Sequence, residues 1–399
     1  MAQEIDNSTD PHCIETLALH AGTEPDPTTG AILTPIYQTT TYRQEAVGVD
    51  KGFTYSRAGN PTVAALERRL AALEDAEFAI CFSSGLSGTT ALFLSLLKAG
   101  DRVVASEVCY GGTVRLLRQI FSAFGVVADF IDTSNEEEFA KALREPAKLV
   151  FIETPANPTL RLTDISLAAK LSRNADALLV VDNTLLTPAL QKPLDLGADI
   201  SLHSTTKFID GHNATIGGAL ITRNKELHER FDFVRKSTGT IQAPFDAWLT
   251  LQGVKTLPLR IRQHSENALK VAKFLEGHPR ITTLHYPGLE NFPQYELAQR
   301  QQGSGGALIA FEVEGGTEAG IKLMNSVRLC SLAENLGSAE TLITHPASMT
   351  HAAVPIEQRE AAGITDGLVR LSVGLENPDD LIADLDQALQ IASAKGVGK

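Results

Sequence analysis

Leu178-Leu179-Val180-Val181-Asp182-Asn183-Thr184 decides how this chain is read. Four apolar residues followed by an aspartate make a short, buried strand with a carboxylate at its C-terminal end, the edge at which open α/β sheets bind ligands. Working outward, the same kind of apolar run recurs at 78–82, 102–105, 127–131, 149–152, 198–202 and 219–222. Helical patterns separate several of these runs, at 64–73, 86–97 and 111–124. That alternation predicts an α/β fold with a mostly parallel sheet covered on both faces.

The pattern changes character after Lys255-Thr256-Leu257-Pro258, where a long helix is expected over 260–275. Strand signals follow at 307–313 and 369–373, and a closing helix at 381–392. The 399 residues exceed what one core usually serves, so two domains are expected. The division predicted is an N-terminal arm over 1–60 that contacts a neighbouring subunit, a large ligand-binding domain over 61–257, and a smaller α/β domain over 258–399. Turn-rich pieces such as Asp26-Pro27-Thr28-Thr29-Gly30 mark the arm.

A net charge of −13, from 35 basic and 48 acidic residues, argues against an electrostatic footprint for nucleic acid or an anionic membrane. No apolar run is long enough to span a bilayer, and the polar start from Met1 to Pro11 lacks a signal-peptide core. Cys13, Cys81, Cys109 and Cys330 are scattered without metal-ligand spacing, so reduced thiols in a cytoplasmic protein are expected.

Groups able to do chemistry fall at successive strand ends. Lys207 lies in His203-Ser204-Thr205-Thr206-Lys207-Phe208-Ile209-Asp210-Gly211-His212, just past a buried strand, where desolvation lowers an amine's pKa toward its reactive form. Ser83-Ser84-Gly85-Leu86 is a small-residue turn opening a helix, and its N–H groups and dipole suit a phosphate; Ser204 and Thr206 can add hydroxyl donors. Tyr110, in Cys109-Tyr110-Gly111-Gly112-Thr113, is placed to stack on a ring or act as an acid. Taken singly, each has an ordinary structural reading: a surface lysine, a turn-capping aspartate, an empty Ser-Gly turn, a core tyrosine. Together they supply what pyridoxal phosphate (PLP) asks of a protein. It needs a lysine for the imine, a carboxylate for the pyridine nitrogen, a phosphate cradle and a ring clamp.

A closer likeness rests on Tyr55-Ser56-Arg57-Ala58-Gly59-Asn60-Pro61-Thr62, Tyr110-Gly111-Gly112-Thr113, Glu153-Thr154-Pro155-Ala156-Asn157-Pro158, Val181-Asp182-Asn183-Thr184, the lysine segment 203–212, and Arg370-Leu371-Ser372-Val373-Gly374-Leu375-Glu376. In these motifs and their order the chain resembles the cysteine/methionine-metabolism PLP enzymes of transsulfuration, from about residue 16 to 392. The resemblance implies the aspartate-aminotransferase-like fold (fold type I) and a homotetramer built as a dimer of dimers. It makes Lys207, Tyr110 and Asp182 catalytic, with Ser84, Gly85, Leu86, Ser204 and Thr206 around the cofactor. Tyr55 and Arg57 would reach the cofactor phosphate of the neighbouring subunit, with Tyr55 also near substrate. Asn157 would bond the ring oxygen, and Arg370 the substrate α-carboxylate. The residue chemistry agrees for the two arginines: one suits a phosphate, and the other opens an apolar strand where an anionic partner is needed.

The resemblance is mixed as to member. Gly112 stands where methionine γ-lyases carry a cysteine. Glu334, in Leu332-Ala333-Glu334-Asn335-Leu336-Gly337, falls where cystathionine-handling enzymes have a glutamate that can hold a distal amino group. Asn335 replaces their serine and, with Asn213-Ala214-Thr215-Ile216-Gly217-Gly218, resembles the O-acylhomoserine sulfhydrylases. The expectation is γ-replacement or γ-elimination on a homoserine-derived amino acid. Cystathionine γ-synthase chemistry comes first, then a γ-lyase, then a sulfhydrylase; a non-catalytic PLP-fold protein is the reading from another class. No G-x-G-x-x-G opens the first helix, which disfavours a dinucleotide enzyme. His345 and His351 are expected to pack rather than to bind metal. Asn135-Glu136-Glu137-Glu138 is expected to start a solvated helix capped by Ser134 or Asn135.

Overall fold

In the computed structural model, which describes residues 12–349, 356–361 and 363–393, the apolar runs of the first half pair into one seven-stranded sheet. Its strands are β1 (Phe78–Phe82), β2 (Arg102–Ser106), β3 (Val127–Ile131), β4 (Leu149–Glu153), β5 (Leu178–Asp182), β6 (Ile200–His203) and β7 (Gly218–Thr222). Their order is β1-β7-β6-β5-β4-β2-β3. The run from β3 to β6 is parallel, and β7 is antiparallel to both of its neighbours. Hence β1, β2, β4, β5 and β6 all end at the same edge.

The near-continuous hydrophobicity of β4 and β5 follows from burial on both faces. Val150, Ile152, Leu179 and Val181 pack with Leu66 and Leu70 of helix Pro61–Leu73 and Leu251 of helix Pro244–Val254. The alternate residues Leu149, Phe151 and Val180 face the other side, against Phe93 of helix Gly85–Leu96 and Phe231 of helix Lys225–Thr238. The period of two places successive side chains on opposite faces, and both faces are covered.

The second half builds a five-stranded sheet in the order β10-β11-β12-β9-β8, from β8 (Ile281–His285), β9 (Leu308–Val313), β10 (Ser331–Leu332), β11 (Leu342–Thr344) and β12 (Leu368–Ser372). Neighbours are antiparallel except β10 and β11. Helices Leu257–Glu276 and Pro378–Ser393 contribute Val271, Leu275, Leu381 and Leu385 to its core. No helix among the described residues is long and apolar enough to cross a membrane.

Some local details depart from expectation. The helix expected over 111–124 is α only for Gly111–Arg115, then widens to π over Leu116–Ile120 and tightens to 3-10 over Phe121–Phe124. Two leading glycines, weak helix formers, leave this segment to be shaped by packing rather than propensity. The arm contains a helix, Ile14–His20, docked where Arg69 Nε donates to Ala21 O at 2.9 Å and Arg68 Nη2 to Gly22 O at 3.1 Å. Asn135, not Ser134, caps helix Glu136–Ala142, accepting from Glu137 N and Glu138 N. His345 is buried and bonded to Ser348 Oγ and Asp366 O, both at 2.7 Å, while His351 lies outside the described residues.

The segment carrying Lys207 is held from below by Arg260. Its guanidinium donates to Phe208 O at 2.8 Å, Ile209 O at 3.3 Å and Gly253 O at 2.8 Å. Gly253 permits this approach, because a Cβ there would lie 2.2 Å from Asp210 O. Gly253→Ala is therefore expected to push the lysine segment off its helix and destabilise the protein by roughly 1–3 kcal/mol. Thermal melting beside the control Gly277→Ala, where φ is −85° and a Cβ would meet nothing nearer than 3.9 Å, measures it, and an unchanged midpoint would show the approach to be soft.

Candidate active site

Five strand ends deliver the chemistry to one cavity of about 320 Å³. Ser84, Gly85, Leu86, Tyr110, Asn157, Asp182, Ser204, Thr206, Lys207, Glu334, Asn335 and Arg370 all line it. Tyr55 and Arg57 do not. Both are exposed, and Arg57 lies beside the Tyr55 ring, its Nη1 donating to Lys236 O. A larger depression of about 1200 Å³ runs along the arm and helix Pro61–Leu73, but none of the strand-end groups reaches it.

Lys207 Nζ donates to Asn335 Oδ1 at 2.5 Å. Burial, aided by the Arg370 charge, lowers its pKa to about 8. Asn335 is a junction: its Nδ2 donates to Asn213 Oδ1 at 2.8 Å, and its carbonyl accepts from Arg370 Nη2 at 2.8 Å. Arg370, in the middle of β12, is buried. It also donates to Asn157 Oδ1 at 2.9 Å and Thr344 Oγ1 at 3.1 Å, while its Nε has no partner among the described residues. Burial lowers its pKa to about 10.

Asp182 Oδ1 accepts from Thr184 N at 3.1 Å and Thr184 Oγ1 at 2.6 Å. Burial raises its pKa against those bonds. Directly opposite it in the β4–β5 register stands Glu153, a second buried carboxylate. Burial first, then the Asp182 charge, raises Glu153 to about 8. Sequence reasoning gave Glu153 no role, although 149–153 repeats the signal of 178–182: four apolar residues ending on a carboxylate. Thr184 and Arg260 were given no role either, and Asn213 only a likeness to the sulfhydrylases; their contacts reveal what they hold.

At the helix N-terminus the Ser84 hydroxyl is occupied in capping, accepting from Ser87 N at 3.0 Å. The N–H groups of Gly85 and Leu86 have no partner among the described residues, nor has the Ser204 hydroxyl. Gly85 must be glycine here, since a Cβ would stand 2.9 Å from Ser204 Cβ. The Thr206 hydroxyl is tied to Gly217, accepting from its N–H at 3.0 Å. The unspent donors at Gly85, Leu86 and Ser204 fit a phosphate. Asp182, with one oxygen engaged by Thr184, fits a protonated pyridine nitrogen, and Arg370 Nε a carboxylate. The donor set matches PLP with an amino-acid substrate.

Comparison with known proteins agrees. The family described as Cys/Met metabolism PLP-dependent enzyme matches residues 15–390. A cystathionine γ-lyase of Bacillus subtilis is 46% identical over 94% of this chain and 99% of its own length. An L-methionine γ-lyase of Fusobacterium nucleatum is 47% identical over 94% of this chain and 97% of its own. The structure of a cystathionine γ-synthase from Xanthomonas oryzae, in complex with aminoacrylate and cysteine, superposes with a TM-score of 0.94. It is 43% identical and covers 96% of this chain and 100% of that one. The chain therefore belongs to the Cys/Met-metabolism family of PLP-dependent transsulfuration enzymes, has their type I fold, and takes pyridoxal phosphate as its cofactor.

Proposed function

We propose that this enzyme catalyses γ-replacement of the cystathionine γ-synthase type, joining an O-acylhomoserine to cysteine. The observation that carries the reading is Glu334, an exposed carboxylate lining the same cavity as the buried Arg370. Arg370 anchors the α-carboxylate of the first amino acid, and Glu334 receives the amino group of the second. The γ-synthase relative whose structure holds cysteine supports this choice of nucleophile. Gly112 counts against methionine γ-lyase chemistry, because it stands where the resemblance places the cysteine of those enzymes. The cystathionine γ-lyase reading is second, favoured by the Bacillus subtilis relative and by the same presence of Glu334 and Arg370 in one cavity.

The cofactor, when bound, supplies an electron sink for negative charge at the substrate's α-carbon. Lys207 holds it and, once displaced by substrate, takes the α-proton on Nζ and returns it to a neighbouring carbon. Burial keeps that amine near neutrality, so it serves as base and acid at physiological pH. Asp182 keeps a proton on the ring nitrogen. Tyr110, half exposed at the cavity wall, stacks on the ring and protonates the departing γ-substituent. Gly85, Leu86 and Ser204 hold the phosphate, beside a Thr206 hydroxyl already engaged by Gly217, and Asn157 holds the ring oxygen.

Tyr55 and Arg57 belong, in this proposal, to the phosphate site of a neighbouring copy in a tetramer. Their exposure supports it, as do the outward apolar residues of the arm, Ile32 at 87% and Val47 at 102%. The chain divides at 61–257 and 258–399 around the two sheets. Four free cysteines support a cytoplasmic setting.

Purified enzyme given O-acylhomoserine and cysteine is expected to form cystathionine; no product with either cysteine or sulfide would refute the reading. Glu334→Gln is expected to raise KM for cysteine roughly fivefold with kcat little changed. An unchanged KM would remove Glu334 from the nucleophile site. With the cofactor stripped, Lys207 captures pyridoxal phosphate only as the neutral amine. Its rate, followed by the visible band, is expected to rise with pH and level off above about 8. A continued rise toward the ordinary lysine value of 10.5 would contradict the lowered pKa.

A further inference from the structure

Glu153 lines the cavity yet takes no part in the reaction outlined above. It ends β4, the strand between β5 and β2. On one side, in register, is Asp182; on the other, the loop after β2 carries Tyr110. Its two oxygens are spent on two different loops. Oε2 accepts from Tyr110 N at 2.7 Å and Oε1 from Asn157 N at 3.0 Å. Placing a carboxylate beside Asp182, with 4% of its surface exposed, is unfavourable on charge grounds alone. The geometry supplies the compensation, since both ends must accept from a backbone N–H. Only a carboxylate offers an acceptor at both ends, whereas an amide would turn a donor toward one of them.

We propose that Glu153 is a positioning residue of the cofactor site, tying the loop after β2 to the loop after β4 so that Tyr110 and Asn157 keep a fixed geometry about Asp182. The inference rests on the cofactor ring occupying this cavity. Asn157 is held at both ends by this arrangement, its N–H by Glu153 and its side-chain oxygen by Arg370 Nη1. The carboxylate thus links the residues assigned to the ring with the residue assigned to the substrate carboxylate.

The test uses the holoenzyme of Glu153→Gln. The fold, read by far-UV circular dichroism, is expected to persist, while the dichroism of the bound cofactor's visible band loses intensity. Cofactor release into buffer is expected to quicken roughly tenfold, the worth of one hydrogen bond. Unchanged visible dichroism and unchanged release would overturn the proposal. Should the variant fail to fold, amide hydrogen exchange in the wild-type holoenzyme decides. Protection of Tyr110 and Asn157 N–H by roughly tenfold or more over open loops supports the clamp, and loop-like exchange overturns it. Lys207→Ala separates the two readings. If that variant keeps the wild-type visible band, the assignment of the cofactor to Lys207 fails, whatever Glu153 does.

Discussion

Strands that run the same way end on the same side, and the chemistry of this protein depends on that constraint. The segments following β1, β2, β4, β5 and β6 all arrive at one edge of the sheet. Ser84-Gly85, Tyr110, Glu153, Asp182 and the Lys207 segment are neighbours for that reason, although they span more than a hundred residues of sequence. The antiparallel β7 does not disturb the arrangement, because it reverses direction between two strands that agree. The five-stranded sheet closes the cavity with Arg370 from its β12.

The same arrangement gathers charge in a poorly hydrated space. Asp182 and Glu153 sit side by side, and Lys207 and Arg370 face the same cavity. Burial pushes both carboxyls toward their protonated forms and lowers the lysine and the arginine. Each shift has the sign that desolvation demands; Thr184 moderates it for Asp182, the Tyr110 and Asn157 amides for Glu153, and Glu153 and Glu334 for Arg370, whereas the Arg370 charge reinforces it for Lys207. A site of this kind favours ligands that bring the missing charges: a pyridinium for Asp182, a carboxylate for Arg370, a phosphate for the Gly85 helix. Perturbed groups converging in one cleft are the physical mark of a functional site.

Much of this was legible before any coordinates. The strands of the first sheet lie within two residues of expectation; β4 and β5 are buried on both faces with unbroken apolar runs, while the edge strand β3, broken by Asp129 and only partly buried, is matched as well. Asp182 was legible because charge directly after such a run is unusual, and Lys207, beyond Ser204-Thr205-Thr206, because the other strand-end groups accompany it. Glu153 carries the same signal, but its bonds to the Tyr110 and Asn157 amides emerge only from the fold. Strands β8, β10 and β11 were not anticipated: β10 has two residues, β11 has three, and β8 is only partly buried. The clamp of Arg260 on three carbonyls was not legible either. Its partners are backbone atoms at distant positions, and no residue type announces them. Asn335 was expected at the substrate, and its contact with the Lys207 amine emerges only from the fold.

The central claim is that the cofactor is carried on Lys207 in the cavity at the strand ends. Hydride reduction of the holoenzyme fixes the cofactor permanently to the lysine that holds it, and peptide mass mapping then locates it. The cofactor's mass on the peptide containing Lys207, and on no other, is the predicted result. A label on any other lysine, or none retained after reduction, would contradict the account.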